Sequence, residues 1–309
     1  MNVYRSLEEV PQAPGGRSLA LGTFDGVHTG HRRVIRSALD WARTHGATAS
    51  VVTFDPHPLQ ILRPEEPPQL ITTTPVKIDL IGTLGIDEVI VIPFTKSFSM
   101  LVPEEFCRDV LGEALQATHV SVGANFRFGH AAAGDAELLL SRSEFGAEIV
   151  PLVESGGETV SSSRIRQLVS SGSVAEAAAL LEAPFQLDGE VVEGAGRGRV
   201  LDMPTANLEP APEVVVPAAG VYAGVARAEG EEWPAAVNVG VRPTFETAGD
   251  IKVEAHLVGY EGDLYGRTVR LCFLERLRDE LRFESAEELM AQMQDDVERT
   301  VGIAGRANC

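Results

Sequence analysis

Two histidines follow a glycine-rich turn near the start of the chain. Residues 21–31 read LGTFDGVHTGH, and His28 and His31 stand where an apolar helical periodicity begins. Glycine permits tight turns and a close approach of the backbone to a ligand. Backbone N–H groups and the dipole at a helix start favour phosphate, and imidazoles placed there can donate hydrogen bonds to a phosphate that gains charge in a transition state. The alternative is a helix cap with two surface histidines.

Serines and arginines open a later predicted helix. Residues 161–166 read SSSRIR. Hydroxyl and N–H groups at a helix start, joined by an arginine fork, suit nucleotide phosphates, although the same residues also describe an N-cap with exposed arginines. The chain contains neither G-x-x-x-x-G-K-[ST] nor G-x-G-x-x-G, so a P-loop and a dinucleotide-binding Rossmann domain are excluded by motif.

A glycine- and arginine-rich segment in the second half is followed by two oxygen-bearing side chains. Residues 194–208 read GAGRGRVLDMPTANL. Flexible backbone donors and cations in such a segment suit phosphate. Thr205 and Asn207 lie two residues apart, hence on one side of an extended strand, and hard oxygens of this kind suit Mg²⁺. The alternative is a hairpin turn with solvated arginines.

The elements that position the histidines alternate in type. Short apolar runs rich in Val and Ile predict buried strands over 18–21, 50–54, 88–94, 119–122 and 148–152. Apolar residues at helical spacing predict intervening helices over 31–44, 75–84, 103–115 and 135–145. Alternating strands and helices predict an α/β domain with a parallel sheet covered on both faces, and ligands bind such sheets beyond the carboxyl ends of the strands.

The pattern changes near residue 160. Helices are predicted over 162–170 and 173–182, the second with a capping box of Ser173 and Glu176. Short β-branched runs then predict a small antiparallel β-barrel or sandwich, with strands over 189–192, 221–226, 235–239, 253–257 and 268–273. A terminal helix is predicted over 285–300, again opened by an S-x-x-E box. The boundary gives two domains, residues 1–184 and residues 185–309.

Composition and charge describe a globular protein that does not bind nucleic acid. The 309 residues suffice for two domains, and a net charge of −19 argues against a general nucleic-acid binder, which needs basic groups to displace counterions. No signal peptide is visible, and no apolar run approaches the roughly 18 residues that span a bilayer. Cys107, Cys272 and Cys309 show neither metal nor disulfide spacing. We expect a reducing, cytoplasmic setting and no membrane partner, and weak self-association is an open alternative.

These motifs give the first half a resemblance to the nucleotidylyltransferase superfamily. Residues 28–31 match its H-x-G-H signature, and residues 161–166 match its Ser/Thr-x-x-Arg element. The adenylyltransferase half of bacterial bifunctional riboflavin kinase/FAD synthetases is especially similar, through residues 22–31, 53–58 (TFDPHP), 122–129 (VGANFRFG) and 161–166. The resemblance implies a Rossmann-like parallel sheet on which FMN attacks the α-phosphorus of ATP and expels pyrophosphate, with Mg²⁺ assisting.

The second half resembles the riboflavin kinases of the same bifunctional family. The matching stretches are residues 204–207 (PTAN), 220–223 (GVYA), 238–245 (NVGVRPTF), 253–257 (VEAHL) and 262–266 (GDLYG). The resemblance implies a kinase β-barrel that makes FMN from riboflavin and ATP, with Glu254 accepting the proton of the ribityl 5′-hydroxyl. The alternative for Glu254 is a solvent-facing acid. His256, on the same strand face, is interpreted as structural.

The resemblance assigns site residues by role. The catalytic residues are His28, His31, Arg166 and Glu254, and the metal ligands are Thr205 and Asn207. The nucleotide-binding residues are Gly22, Thr23, Phe24, Asp25, Gly26, Gly30, Asn125, Ser162, Ser163, Gly196, Arg197 and Gly198. The flavin-binding residues are His57, Phe126, Phe128 and Met203. A rigid loop is an equal alternative for His57, and core packing is the alternative for the two phenylalanines.

Three segments depart from the family pattern, one of them residues 161–163, which read SSS in place of Ser-Ser-Thr and keep the hydroxyl. Asp202 and Met203 stand where the kinases usually read Gly-Phe, and residues 181–185 read LEAPF in place of Leu-Gly-Arg-Pro-Tyr. An acid beside phosphates adds like charge. This motivates a second hypothesis, an active FMN adenylyltransferase whose C-terminal domain is a flavin-binding or regulatory module. A third hypothesis is a nucleotidylyltransferase for another phosphorylated metabolite, because H-x-G-H does not name its acceptor.

Overall fold

The structure, a computed structural model, describes residues 1–193, 203–241, 251–306 and 309. Of the predicted site, Gly196, Arg197 and Gly198 lie outside the described residues, as do Asp202 and residues 242–245 of the kinase motif. The chain forms two compact units, residues 1–68 with 74–161 and residues 69–73 with 162–309. The predicted boundary between residues 184 and 185 is a division by function and stays a prediction.

Short strands joined by helices and turns make up the first unit. Its strands are β1 (Asn2–Tyr4), β2 (Arg17–Leu21), β3 (Thr48–Asp55), β4 (Glu88–Pro93), β5 (Ala117–Gly123), β6 (Arg127–Phe128), β7 (Gly134–Asp135), β8 (Gly146–Val150), β9 (Glu154–Ser155) and β10 (Glu158–Thr159). Its helices are α1 (Thr29–His45), α2 (Pro58–Leu62), α3 (Thr74–Gly82), α4 (Pro103–Glu105) and α5 (Ala136–Leu140). A π-helical stretch, Phe106–Ala114, continues α4, and 3-10 turns lie at Phe98–Met100 and His130–Ala132.

The second unit consists mainly of longer strands. Its helices are α6 (Ser162–Ser170), α7 (Val174–Leu181) and α8 (Ala286–Ala304). Its strands are β11 (Phe185–Val192), β12 (Ala206–Pro210), β13 (Gly220–Ala228), β14 (Glu231–Val241), β15 (Ile251–Leu257) and β16 (Thr268–Arg278). Among the described residues of either unit, no helix has the length and apolarity needed to cross a membrane.

A six-stranded parallel sheet forms the centre of the first unit, in the order β1-β4-β3-β2-β5-β8. All five residues of β2 are buried, because the inner strands of such a sheet are covered on both faces. The predicted parallel sheet is confirmed. The chain continues from β2 to β3 on one side and reaches β5 later on the other. The β2–β5 pair is therefore the topological switch point, beyond which ligands bind in sheets of this kind.

A buried ion pair closes the amino-terminal edge of this sheet. Arg17 begins β2 and Glu88 begins β4, and the Arg17 Nε lies 2.8 Å from the Glu88 Oε2. Ser50, on the intervening β3, donates to the same oxygen at 2.9 Å. The Arg17 guanidinium also donates to the carbonyls of Pro11 and Leu115. Since both charges are paired and hydrogen-bonded, the core tolerates them at the end of the sheet opposite to the switch-point loops.

A closed antiparallel barrel forms the centre of the second unit, in the order β11-β12-β15-β14-β13-β16. In β15 the residues Val253, Ala255 and Leu257 are buried, whereas the residues between them are partly exposed. This period of two is the alternation expected of a strand with one face in the core. Helix α8 packs across β13, β14 and β16. The predicted barrel and terminal helix are confirmed.

Two predicted helix features are wrong. The helix predicted over 135–145 ends at Leu140, because the following residues form turns in which Arg142 pairs with Glu144. Ser173 makes no capping hydrogen bond, since its φ of −79° and ψ of 54° do not give the extended backbone of an N-cap. The cap of the terminal helix is confirmed, because the Ser285 Oγ accepts the backbone N–H of Glu288 at 3.1 Å.

The cysteines also differ from the prediction. Cys272 on β16 and Cys309 form a disulfide, with 5.7 Å between their Cα atoms, so the expectation of no disulfide is wrong. A separation of 37 residues is not a spacing pattern, and only the folded chain brings the two together. Cys107 is free and buried, and burial raises the pKa of its thiol to about 11.

Candidate active sites

Helix α1 begins at a histidine cap. The Nδ1 of His28, the residue before Thr29, accepts the backbone N–H of His31 at 3.3 Å. His28 has extended backbone angles (φ −68°, ψ 172°), as an N-cap residue requires. Because Nδ1 is the acceptor, the proton of the neutral ring lies on Nε2, which can donate to a ligand. The capping role and the predicted phosphate role of His28 are therefore compatible, one on each ring nitrogen.

The two predicted imidazoles stack on each other. The ring centroids of His28 and His31 lie 3.5 Å apart with an interplanar angle of 19°, and Phe24 packs edge-on against His31 at 5.3 Å. A β-carbon on Gly30 would lie 3.1 Å from the His28 Cε1, so glycine leaves room for the ring. The His31 Nδ1 is buried and has no hydrogen-bond partner among the described residues. Since such an atom is costly unless a ligand engages it, the pair is a candidate ligand site.

Burial keeps both rings neutral. It lowers the pKa of His28 to about 4, and the charge of Asp25 acts against this shift. Burial also lowers the pKa of His31 well below its ordinary value, and the neighbouring His28 and Lys77 lower it further. Neutral imidazoles still donate through one N–H group, and an arriving phosphate would favour their protonated form.

The turn between β2 and α1 follows a strained path. Phe24 and Val27 have positive φ values of 49° and 45°, which residues other than glycine rarely adopt. Both side chains are buried in the core, and this packing compensates for the backbone strain. The predicted nucleotide-binding residues of this turn are Gly22, Thr23, Phe24, Asp25 and Gly26. Because its ring is buried, Phe24 can offer a nucleotide only its backbone.

Lys77 ties this turn to the neighbouring strand, and the sequence analysis missed it. Its Nζ donates to the carbonyl of Thr23 at 3.2 Å and to that of Phe54 at 3.4 Å. Burial lowers the pKa of the lysine, and the carboxylates of Asp25 and Asp55 act against that shift. A single lysine inside the apolar run of α3 was the available signal. An ammonium buried among such partners holds the turn against β3.

The loop after β5 brings Asn125 to the same edge of the sheet. β5 and β2 are parallel neighbours, so residues 22–28 and 123–128 leave the sheet side by side. Asn125 is exposed there. Phe128 is buried and packs on Phe126 and Phe106, with centroid distances of 5.8 and 5.4 Å. Core packing accounts for Phe128, and a flavin contact by Phe126 or Phe128 stays a prediction.

His57 has a structural role that the sequence left open. Its Nδ1 accepts the backbone N–H of Leu59 at 3.2 Å, and the Gln60 Oε1 accepts the His57 N–H at 2.9 Å. These two reciprocal hydrogen bonds cap α2. They give the rigid loop that the sequence left open as the alternative to flavin binding by His57. Contact with a flavin stays a prediction.

The serine and arginine element opens helix α6, which belongs to the second unit. Ile165 and Val169 form the buried stripe of this helix. Ser163 is exposed, whereas Ser162 and Arg166 are partly buried. These polar residues therefore lie off the buried stripe, as ligand-binding residues must. Their participation in the site of His28 and His31 stays a prediction.

A cavity of about 450 Å³ lies in the second unit, between the barrel and helix α8. Its polar wall comprises Thr205, Asn207, Asn238, Lys252, Glu254 and His256. Its apolar wall comprises Leu281, Phe283, Leu289, Met293 and Val297. Ligand cavities commonly measure roughly 300–1,000 Å³, with apolar walls and a few placed polar groups. This one suits a ligand with an apolar part and a polar part.

The register of the barrel places three polar side chains in one row. Asn207 lies opposite Glu254, and Glu254 lies opposite Asn238. Directly opposite residues of antiparallel strands point to the same face. The Glu254 Oε1 accepts a hydrogen bond from the Lys252 Nζ in a partly buried ion pair. Since Glu254 lines the cavity, it can accept a proton from a hydroxyl bound there. Its place in the cavity wall argues against the alternative of an acid that only faces solvent.

Thr205 and Asn207 line the same cavity, and their role as metal ligands stays a prediction. The Asn207 Oδ1 is buried and has no hydrogen-bond partner among the described residues. An unsatisfied hard oxygen fits Mg²⁺, which retains several waters and binds nucleotide phosphates. No group of three or more His, Cys, Asp or Glu side chains in the described ranges could hold a metal by itself. Met203, partly buried just before this pair, stays a predicted flavin contact.

An ion pair fastens α8 to the barrel beside the cavity. The Arg278 Nη2 lies 2.7 Å from the Asp296 Oδ2, and Asp296 is only 3% exposed. The Gln292 Nε2 donates to the other carboxylate oxygen at 3.2 Å, and Arg278 lies over the ring of Phe283. This network holds the apolar wall in place. The sequence analysis missed it because no motif links the residues.

A phosphate-favouring helix start on a parallel sheet, together with a barrel that encloses a polar cavity, defines a two-site nucleotide enzyme. Residues 10–164 match the family model of FAD synthetase, and residues 181–303 match that of riboflavin kinase. The chain belongs to the family of bifunctional riboflavin kinase/FMN adenylyltransferases.

Individual relatives span nearly the whole chain. A bifunctional riboflavin kinase/FMN adenylyltransferase of Escherichia coli strain K12 is 34% identical over 301 residues, 96% of each chain. One of Bacillus subtilis strain 168 is 33% identical over 289 residues, covering 92% of this chain and 91% of the relative. A crystal structure described as a macrolide-efflux protein from Streptococcus pneumoniae has a TM-score of 0.85 and 31% identity, covering 96% of this chain and 97% of that one.

We expect the first unit to lose stability in acid because of His28. Its pKa is about 4 in the folded chain against an ordinary 6.5, so the unfolded chain takes up protons first as the pH falls. The contribution of the neutral His28 ring to the free energy of unfolding is complete above pH 6.5 and is lost as the pH falls from about 6.5 to 4. His28→Asn keeps a cap but has no imidazole to titrate. Between pH 6.5 and pH 4 the unfolding free energy of this variant should therefore fall by roughly 2 kcal/mol less than that of the parent.

The measurement is denaturant unfolding by tryptophan fluorescence in a Trp233→Phe background, which leaves Trp41 of α1 as the reporter of the first unit. Identical pH profiles for the parent and for His28→Asn would contradict the assigned pKa shift.

Replacing Lys77 should weaken the first unit. Lys77→Met keeps the length of the side chain but leaves the Thr23 and Phe54 carbonyls without this donor, at a cost of roughly 1–3 kcal/mol. The same Trp41 fluorescence measures it. Lys96→Met, at an exposed position, is the matched control and should change stability little. Equal stability of the two variants would show that the Lys77 hydrogen bonds to Thr23 and Phe54 do not stabilise this unit.

Proposed function

We propose that the chain makes FMN from riboflavin and FAD from FMN, using ATP in both steps. The observation that supports the proposal is that each unit has its own set of polar groups suited to phosphate. The first has a buried histidine pair at a helix start, and the second has Thr205, Asn207 and Glu254 around one cavity. Residues 1–184 form the adenylyltransferase in this proposal, and residues 185–309 form the kinase. Reactions that consume ATP suit a cytoplasmic location.

In the first unit, the protein positions the reactants and neutralises charge. A phosphate oxygen of FMN attacks the α-phosphorus of ATP, and the bond to pyrophosphate breaks while negative charge grows on the leaving group. The Nε2–H of His28 donates to that charge, and His31 supplies the second ring. Asn125 contacts the nucleotide from the adjacent loop. The element of Ser162, Ser163 and Arg166 on α6 suits the outer phosphates of ATP by its chemistry, an arginine fork beside two hydroxyls.

In the second unit, Glu254 acts as the base. Its carboxylate accepts the proton of the ribityl 5′-hydroxyl as that oxygen bonds to the γ-phosphorus of ATP and ADP leaves. The flavin ring lies against the apolar wall that Phe283 and Met293 contribute. Thr205 and Asn207 would hold Mg²⁺, which would supply neutralisation of phosphate charge. Gly196, Arg197 and Gly198, the predicted phosphate ligands, lie outside the described residues.

A product assay separates the three hypotheses. Purified protein supplied with riboflavin, ATP and Mg²⁺ should yield FMN first and FAD later, resolved by chromatography. FAD from added FMN, without FMN from riboflavin, would reject the kinase and support a C-terminal flavin-binding or regulatory module. Absence of FAD from added FMN would instead favour adenylyl transfer to another phosphorylated acceptor.

Replacing His28 should slow the formation of FAD from FMN and leave the phosphorylation of riboflavin unchanged. His28→Ala is expected to slow FAD formation from FMN by roughly 10²–10³-fold, the typical effect of losing one transition-state donor. FMN formation from riboflavin should be unchanged, because it depends on the other unit. His28→Asn retains an acceptor for the His31 N–H, so the pair of variants separates the cap from the phosphate contact. Equal losses of both activities in His28→Ala would contradict two independent sites.

Replacing Glu254, the proposed base, should slow the formation of FMN from riboflavin and leave the formation of FAD from FMN unchanged. Glu254→Gln keeps the size of the side chain but cannot take a proton, so FMN formation should fall by roughly 10²–10⁴-fold. FAD formation from added FMN should persist. Glu275→Gln, an exposed glutamate on β16, is the matched control. Undiminished riboflavin phosphorylation by Glu254→Gln would remove the proposed role.

A further inference from the structure

His256 makes one directed contact beside the proposed metal ligands. Its Nδ1 lies 2.8 Å from the carbonyl oxygen of Pro204. A carbonyl oxygen only accepts, so Nδ1 must carry the proton of this hydrogen bond. His256 also lines the cavity that contains Thr205, Asn207 and Glu254. The side chain that the sequence analysis interpreted as structural is thus directed at the segment that carries the metal ligands.

The register explains why this contact forms. Ala206 pairs with Ala255 and Asn207 pairs with Glu254 in the antiparallel β12–β15 ladder. Glu254 and His256 are two residues apart on β15 and therefore share a face. Glu254 stands against Asn207, and His256 stands against the residues just before β12. One strand thus presents one side chain to each end of the Thr205–Asn207 pair.

The segment needs such a restraint. Pro204 and Thr205 precede Ala206, the first residue of β12, so the strand ladder does not hold them. Proline has no N–H group with which to anchor itself. The peptide between Pro204 and Thr205 is planar, so fixing the Pro204 carbonyl also fixes the orientation of the Thr205 nitrogen and Cα. The His256 hydrogen bond therefore restrains the Thr205 backbone from which the hydroxyl projects.

We propose that His256 is a positioning residue for the Mg²⁺–ATP site of the kinase. It donates from Nδ1 to the Pro204 carbonyl and so holds Thr205 beside Asn207 before the metal binds. It touches neither the phosphates nor the transferred proton. The inference rests on the proposed function, because it takes Thr205 and Asn207 as the metal ligands.

The test compares three variants of the full chain. In His256→Ala, the Mg²⁺ concentration that half-saturates FMN formation should rise about 2–10-fold, the effect of one lost hydrogen bond. The kcat at saturating Mg²⁺ should stay within about twofold, because the chemical groups remain. His256→Asn places an amide N–H near the position of Nδ1 and should restore the parent Mg²⁺ dependence, whereas His256→Gln should not. FAD formation from added FMN should be unchanged in all three.

A second measurement observes the hydrogen bond without turnover. In protein labelled with ¹⁵N-histidine, the ring that disappears in His256→Asn should show a protonated Nδ1. A ring protonated only at Nε2 would overturn the proposal. So would an unchanged Mg²⁺ dependence in His256→Ala, or failure of His256→Asn to restore it. If His256→Ala does not fold, the contrast between the Asn and Gln variants and the ring spectrum decide the question.

Asn207→Ala separates this inference from the proposed function. A raised Mg²⁺ requirement in Asn207→Ala with a parent-like His256→Ala would reject only the positioning role. A parent-like Mg²⁺ requirement in Asn207→Ala would instead reject the metal site on which the proposal rests.

Discussion

The hydrogen bond from the His31 backbone N–H to the His28 Nδ1 is the contact on which the first site depends. It makes one ring nitrogen an acceptor inside a helix start and leaves the other as a donor. The stacking of the two rings, the absence of a side chain at Gly30 and the strained turn before the helix all serve this geometry. Burial then keeps the rings neutral until negative charge approaches them.

The two proposed sites would handle phosphate by different physical means. In the first, a helix start at the switch point of a parallel sheet supplies N–H groups and imidazoles. In the second, the partly exposed face of a closed barrel supplies hard oxygens and a carboxylate, and a helix fastened by Arg278 and Asp296 supplies the apolar wall. Each arrangement places polar groups on a helix or strand that is already ordered. Binding a ligand therefore costs little free energy for ordering these side chains.

Most of the fold was predictable, and the errors have local causes. The parallel sheet, the barrel and the terminal helix followed from apolar periodicity. The helix after Asp135 was predicted too long, and Ser173 was assigned a cap that its backbone angles do not permit. Such ends depend on the turns that follow them, and apolar spacing says little about turns. Thr205, Asn207 and Glu254 line one cavity together with Asn238, which the sequence offered only as part of a motif, whereas Lys77 and the Arg278–Asp296 pair were missed.

By itself the sequence determined the order of the elements, the helix-start histidines and the family that its motifs resemble, because these depend on residues that are neighbours along the chain. The tertiary structure alone decided which distant residues meet. Lys77 reaches the carbonyl of Thr23, His256 reaches that of Pro204, and Cys272 bonds to Cys309. These contacts depend on strand register and on the closure of the barrel, which are set by the packing of the whole chain and not by any local pattern.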